Sequence, residues 1–233
     1  MTAVILAGGL GTRLKPFSQV IPKPLLPIGD SSVLETQILN MINNGVTEII
    51  IATNYLSEYI KAYVAGKKNY GINITISNEE KPLGTCGPVT LVRELLDTPF
   101  ILINGDILTT LDYKLFYNYA LNFDADLIVG TKSISSPFEF GKIISDGDYI
   151  VDVEEKPNLQ MEILSGIYIL KPPVLDIIPD DTYYGIDTLI KDMIKGRKKV
   201  GKYLIKEYWL DIGRVDDYET AQKAYDEHFK GHE

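Results

Sequence analysis

Three glycines and two cations open this chain in an order that suits phosphate. The segment Leu6-Ala7-Gly8-Gly9-Leu10-Gly11-Thr12-Arg13 closes a hydrophobic run, and Pro22-Lys23-Pro24-Leu25 follows it. Glycines let a ligand approach backbone N–H groups, and Arg13 and Lys23 set positive charge beside them. Arg13 can bind triphosphate oxygens in a fork. Lys23, stiffened by its two prolines, offers a point charge to an α-phosphate or to a second phosphate. Two carboxylates are the natural counterpart. Asp106 follows the apolar run Phe100-Ile101-Leu102-Ile103 and Asn104-Gly105, and Asp211 follows Trp209-Leu210. Carboxylates so placed suit Mg2+, which prefers oxygen ligands and shares them with substrate phosphates. The chemistry implied is electrostatic rather than proton transfer, since the two histidines, His228 and His232, both sit in the C-terminal tail.

Two familiar glycine motifs fail here. A dinucleotide fingerprint needs a third glycine where Leu14 stands, and Asp30, at the distance of a ribose-binding acid, lies in a Gly-Asp-Ser-Ser turn. A P-loop needs Gly-Lys followed by Ser or Thr, and neither pair follows these glycines. A loop wrapping a nucleoside triphosphate remains.

Composition narrows the partners. With 233 residues, 45% of them hydrophobic, the chain can bury one sizeable core. A net charge of -9 and no basic stretch exclude a nucleic-acid groove binder. One cysteine, Cys86, excludes a disulfide framework and suits a reducing cytoplasm. At a helix start its pKa could be lowered, but no base accompanies it, so it reads as a small residue near the nucleotide rather than a nucleophile. The N-terminal apolar run, 3–7, is too short for a signal or a span, so a soluble, cytoplasmic protein without a membrane partner is expected. A homo-oligomer stays open.

The elements that must hold these residues alternate. Apolar β-branched runs predict strands at 3–7, 48–53, 72–77, 100–104 and 126–131. Between them, helices are predicted from a Ser32-Val33-Leu34-Glu35 capping box to Asn43-Asn44-Gly45, and over 56–65, 87–96 and 114–122. Near-continuous apolar strands between helices predict an α/β, three-layer, mainly parallel mixed sheet, with ligand beyond the strands' carboxyl ends. The second half reads differently. A hairpin over 142–153 turns at Asp146-Gly147, and strands at 163–170, 200–205 and 208–212 are interleaved with helices at 186–194 and 216–228. One domain over 1–233 is expected, with a nucleotide-binding half at 1–131 and a sugar-phosphate-binding half at 132–233 carrying a small β-rich lid.

The halves take those names from a resemblance. The opening loop with Pro22-Lys23-Pro24-Leu25 resembles the signature of sugar-1-phosphate nucleotidyltransferases, the NDP-sugar pyrophosphorylases. So do Leu83-Gly84-Thr85-Cys86-Gly87-Pro88, Asn104-Gly105-Asp106, Glu155-Lys156-Pro157, Ser165-Gly166-Ile167-Tyr168 and Tyr208-Trp209-Leu210-Asp211-Ile212-Gly213. The resemblance implies a Rossmann-like nucleotidyltransferase fold with Arg13, Lys23 and Asp106 catalytic. It puts nucleotide on Leu6, Ala7, Gly8, Gly9, Gly11, Thr12, Arg13, Gly84 and Thr85. It puts sugar phosphate on Lys23, Asn104, Gly141, Glu155, Lys156, Gly166 and Tyr168, and Mg2+ on Asp106 and Asp211. Base reading falls to the 78–82 segment, where Glu79 or Glu80 could accept hydrogen bonds from guanine; Glu80 is taken as the nucleotide contact. The implied substrates are a nucleoside triphosphate and a sugar 1-phosphate, in look closest to guanylyl transfer onto mannose- or heptose-type phosphates. Uridylyl, thymidylyl and cytidylyl transfer stay open, as does a catalytically silent module that only binds nucleotide or sugar phosphate. The resemblance to larger members stops at the last helix, so no appended acetyltransferase module is expected.

Overall fold

The computed structural model describes residues 1–67 and 70–230; His232 lies outside the described residues. In chain order the strands are β1 (Thr2–Leu6), β2 (Pro27–Ile28), β3 (Ser31–Ser32), β4 (Glu48–Thr53), β5 (Asn73–Asn78), β6 (Phe100–Asn104), β7 (Ile107–Thr109), β8 (Leu127–Pro137), β9 (Lys142–Asp146), β10 (Tyr149–Glu154), β11 (Asn158–Leu170), β12 (Val200–Leu204) and β13 (Trp209–Asp211). The helices are α1 (Val33–Asn43), α2 (Ser57–Gly66), α3 (Tyr113–Asn122), α4 (Ile186–Lys195) and α5 (Val215–His228).

Seven strands form the central sheet in the order β12-β8-β11-β6-β1-β4-β5. β11 runs antiparallel to both β6 and β8, and every other pairing in this sheet is parallel. Side-chain alternation decides what lies on each face. Ala3, Ile5, Ile101 and Ile103 pack with α1, α2 and α3, whereas Val4, Phe100 and Leu102 pack with α4 and two stretches of 3-10 turns. That is the expected three-layer, mainly parallel mixed arrangement. β1 is the switch point. The chain moves outward from it to β4 and β5, then returns to its other side at β6. Loops leaving the carboxyl ends of β1 and β6 therefore diverge and leave a crevice.

Several expectations change in detail. The helix predicted over 87–96 is a run of 3-10 turns, Gly87–Leu95, broken at Val92. Gly87 and Pro88 at its start and β-branched Val89, Thr90 and Val92 within it account for the poor α geometry. β8 and β11 are far longer than predicted, because residues 132–137 and 158–164 continue as a two-stranded ribbon past the sheet edge. A register shift between Leu164 and Tyr168 accommodates the step, with Gly166 at φ +76°. Between the ribbon's two strands along the chain, β9 and β10 pair by themselves, with Gly147 at φ +55° in the turn. The strand predicted at 208–212 shortens to β13 and leaves the main sheet to pair with β7, a short strand that the sequence pattern did not show.

A third apolar cluster fastens the site's outer wall. α5 buries Ala221 and Tyr225 against Leu14, Leu26, Ile28, Leu108 and Ile212, which belong to the segments flanking Arg13, Lys23, Asp106 and Asp211.

Candidate active site

A cavity of about 460 Å³ opens at the carboxyl ends of β1, β4 and β6. Its floor is Leu6, Ala7 and Gly8 from the end of β1, and its walls include Gly9, Gly11, Thr12, Lys23, Gly84, Thr85, Asn104 and Asp106. Gly11 sits at φ +57°, and its carbonyl accepts from Ser18 Oγ at 2.6 Å, so the loop turns back on itself there. Gly8 is closely packed, since a Cβ would stand 2.9 Å from Glu79 Oε1 and 3.1 Å from Asn54 Cβ.

Lys23 is the charge at the centre. Its ammonium donates to Asp106 Oδ2 and lies 3.9 Å from Asp211 Oδ1. The lysine is 9% exposed. The other oxygen of Asp106, Oδ1, and Asp211 Oδ1 are both buried without a hydrogen-bond partner among the described residues. Burial and the neighbouring Asp106 push the Asp211 carboxyl above the ordinary range, while Lys23 and Arg13 pull the other way. Arg13, exposed, lays its guanidinium against Gly213, where a Cβ would stand 3.5 Å from the guanidinium carbon and both terminal nitrogens. The backbone joins these parts: Ile212 N–H donates to Asp106 O at 3.0 Å, and Gly105 N–H to Leu6 O at 2.9 Å. Asp217 then accepts from Arg214 N–H at 2.7 Å and Gly213 N–H at 3.1 Å, which pins the turn after β13.

The far wall is built by pairing two loops. Tyr184 N–H donates to Leu83 O at 2.9 Å, and Cys86 N–H donates to Tyr184 O at 2.9 Å. Thr85 Oγ1 accepts from Ile186 N–H at 2.7 Å, so the hydroxyl serves the start of α4 while the residue lines the cavity. Gly84, at φ +79°, lies where a Cβ would meet Tyr184 O at 2.8 Å. Cys86 itself is buried in the core, and burial pushes its thiol up rather than down, which removes any reading of it as an activated thiol.

Several residues assigned from sequence, Arg13 and Asp211 among them, lie off this cavity's wall. Glu80 is exposed and does not line the cavity; Glu79 does, 7% exposed, with Oε2 accepting from Leu83 N–H at 3.0 Å and its carboxyl pushed up by burial. The turn formed by that bond carries the neighbouring side chain outward. Tyr168 is 2% exposed and packs in the core with Leu102 and Val129, because the register shift at Gly166 sends it to the α4 face. Gly166 packs directly on the Asn104 side chain, and a Cβ would stand 2.7 Å from its Nδ2, outside the cavity wall. Gly141, Glu155 and Lys156 also lie apart from that wall, exposed on the hairpin, with Glu155 Oε2 3.2 Å from the place of a Gly141 Cβ.

Sequence reasoning missed Asn54 and Tyr183, which also line the cavity, as does Pro82 from the 78–82 segment. Asn54 was findable by the rule that picked out Asp106, since it directly follows the end of β4. Its Nδ2 donates to Glu79 O at 3.0 Å. Tyr183 comes from a loop with no local signal.

Residues 2–228 match a protein-family model described as Nucleotidyl transferase. The chain is 34% identical to a mannose-1-phosphate guanyltransferase of Candida albicans and 32% identical to one of Saccharomyces cerevisiae, each over 97% of this chain. It spans 64% of the length of those relatives. The crystal structure of HddC from Yersinia pseudotuberculosis superposes with a TM-score of 0.77 at 30% identity, covering 96% of this chain and 99% of that one. The same protein complexed with GMP-PN superposes at 0.76.

Proposed function

The chain belongs to the nucleotidyl transferase family, and from that premise we propose that it is a cytoplasmic guanylyltransferase that joins GTP to a mannose- or heptose-type 1-phosphate. The observation that carries the reading is the cavity at β1. It brings a glycine loop, Lys23 and Asp106 to one crevice at the sheet's switch point, with Asp211 Oδ1 3.9 Å from the Lys23 ammonium. The guanine preference draws support from the buried Glu79 carboxylate, an acceptor for a base that presents donors, and from the GMP-PN complex of the HddC relative.

The reaction would form a bond between a sugar-phosphate oxygen and the α-phosphorus while the bond to the β-phosphate oxygen breaks, releasing pyrophosphate. The nucleophile is already ionised near neutral pH, because a second phosphate pKa is about 6, so no general base is needed. What the protein must supply is in-line placement and charge. Loop amides from Gly8 to Gly11 would cradle phosphate, Arg13 would grip the triphosphate, and Lys23 would neutralise the α-phosphoryl oxygens or the incoming phosphate. Asp106 and Asp211 fit a divalent ion: each has one buried oxygen without a hydrogen-bond partner among the described residues, and a two-carboxylate set leaves room for phosphate and water. Mg2+ bound there would add positive charge against the triphosphate. The exposed hairpin bearing Gly141, Glu155 and Lys156 would contribute to the sugar-phosphate side as a lid.

Pyrophosphate release across five nucleoside triphosphates and a panel of sugar 1-phosphates tests this. The highest rate is expected with GTP and a mannose- or heptose-type phosphate. A preference for another triphosphate would overturn the guanine assignment, and no release with any pair would reduce the chain to a nucleotide-binding module.

A further inference from the structure

One buried amide outside the cavity wall reaches both sides of Asp106. Gln37, on α1, is 2% exposed. Its Nε2 donates to Asn104 O at 2.9 Å and to Ile107 O at 2.6 Å. Those carbonyls lie two residues before and one residue after Asp106, so a single side chain spans the turn that presents the carboxylate. The Oε1 of Gln37 is buried and has no partner among the described residues. A glutamine placed only to fill the core would be an expensive choice there, since an apolar residue of like shape leaves no orphaned oxygen. Two further amides follow, Asn40 on α1 and Asn44 at its C-terminal cap. Asn40 Nδ2 donates to Thr109 O at 3.0 Å, and Asn44 Oδ1 accepts from Tyr113 N–H at 3.1 Å. Spacings of three and four residues put all three on one helical stripe. They hold the stretch from Asn104 to Tyr113 against α1, and only Gln37 brackets Asp106.

We propose that Gln37 is a positioning residue for Asp106. By fixing the backbone on either side of the turn, it aims the unpartnered Oδ1 at the place where a divalent ion would be shared with Asp211. This rests on the metal reading above. Outer-shell partners that orient a ligating carboxylate commonly influence metal affinity without touching the ion.

The test is an electron paramagnetic resonance titration of Mn2+ alone on the full chain, with melting temperature and steady-state kinetics measured in parallel. Gln37→Met keeps the volume and removes both donors. It is expected to weaken Mn2+ binding about tenfold and to lower kcat, with KM for GTP within about twofold of wild type. Gln37→Glu keeps the shape and serves if the Met variant does not fold. Asn40→Leu loosens the same helix face one turn further along and is expected to lower the melting temperature with Mn2+ affinity unchanged. Wild-type Mn2+ affinity in the folded Gln37 variants overturns the inference alone, as does equal weakening in Asn40→Leu. No Mn2+ binding by the wild type overturns the metal reading and this inference with it.

Discussion

Lys23 stands between two carboxylates, each with one buried oxygen that accepts no hydrogen bond among the described residues, and it forms an ion pair with both. Removing one carboxylate leaves this framework in place, because Lys23 keeps the other. Asp106→Asn and Asp211→Asn are therefore expected to fold normally, with unchanged far-ultraviolet circular dichroism, and to cut turnover at least about 100-fold. Wild-type-like rates in either would sink the metal assignment. The two glutamates after β5 separate by exposure. Glu79→Gln replaces one acceptor oxygen of a buried group by a donor, so the preference for GTP over other triphosphates should fall by about tenfold or more, read as the ratio of kcat/KM values. Glu80→Gln, on an exposed side chain, should leave that ratio unchanged. Equal behaviour of the two variants would remove Glu79 from the base site. The rule of acidic residues before the second glycine segment was legible in sequence, but which of two adjacent glutamates turns inward was not. That depends on the bond from Leu83 N–H to Glu79 Oε2, which closes only when the loop folds.

Among the elements, α1 shows how far a local signal reaches. Ser32 caps it as its sequence implies, with Oγ accepting from Glu35 N–H at 3.2 Å. The reciprocal half of the expected box does not form. The Glu35 carboxylate accepts instead from Lys67 at 2.6 Å, Tyr63 at 2.6 Å and Ser31 at 3.1 Å, tying α1 to α2. Burial raises the Glu35 pKa, but these bonds outweigh it, led by Lys67, and hold it below its ordinary value. A carboxyl so lowered stabilises the folded chain above its unfolded value, and that contribution disappears as pH falls through the folded value. Glu35→Gln should therefore lower stability by about 2 kcal/mol at pH 7, and the gap in melting temperature should close as pH is taken down to about 3. A gap independent of pH would contradict the assignment. Thr85 makes a second, smaller case. Thr85→Val removes the acceptor for Ile186 N–H and should cost about 1 kcal/mol through the start of α4, measurable by urea denaturation.

For the whole molecule, the ribbon and its hairpin stand apart from the cores that hold the sheet together. Every residue of β10 is exposed, and β9 and β10 pair only with each other. Because Pro137 and Asn158 are paired neighbours, residues 138–157 can be replaced by a two-residue Asn-Gly turn. That deletion is expected to leave the melting temperature and GTP affinity near wild type and to raise KM for the sugar phosphate about tenfold or more. Unchanged sugar-phosphate kinetics would take Gly141, Glu155 and Lys156 out of the site. The sequence by itself determined the alternation of strands and helices, the three-layer sheet, the glycine loops, and Lys23 and Asp106 as charges lining the cavity. All of these rest on short-range causes: side-chain period, glycine at positive φ, and a polar residue where an apolar strand stops. Tertiary structure alone decided that Lys23 lies between carboxylates from the turn after β6 and from β13, which stand far from it along the chain. It also decided that Gly166 turns Tyr168 into the core, that β8 and β11 outrun the sheet, and that Gln37 brackets Asp106. Those features depend on register and on contacts between distant segments, and no local window of sequence carries the energy that sets them.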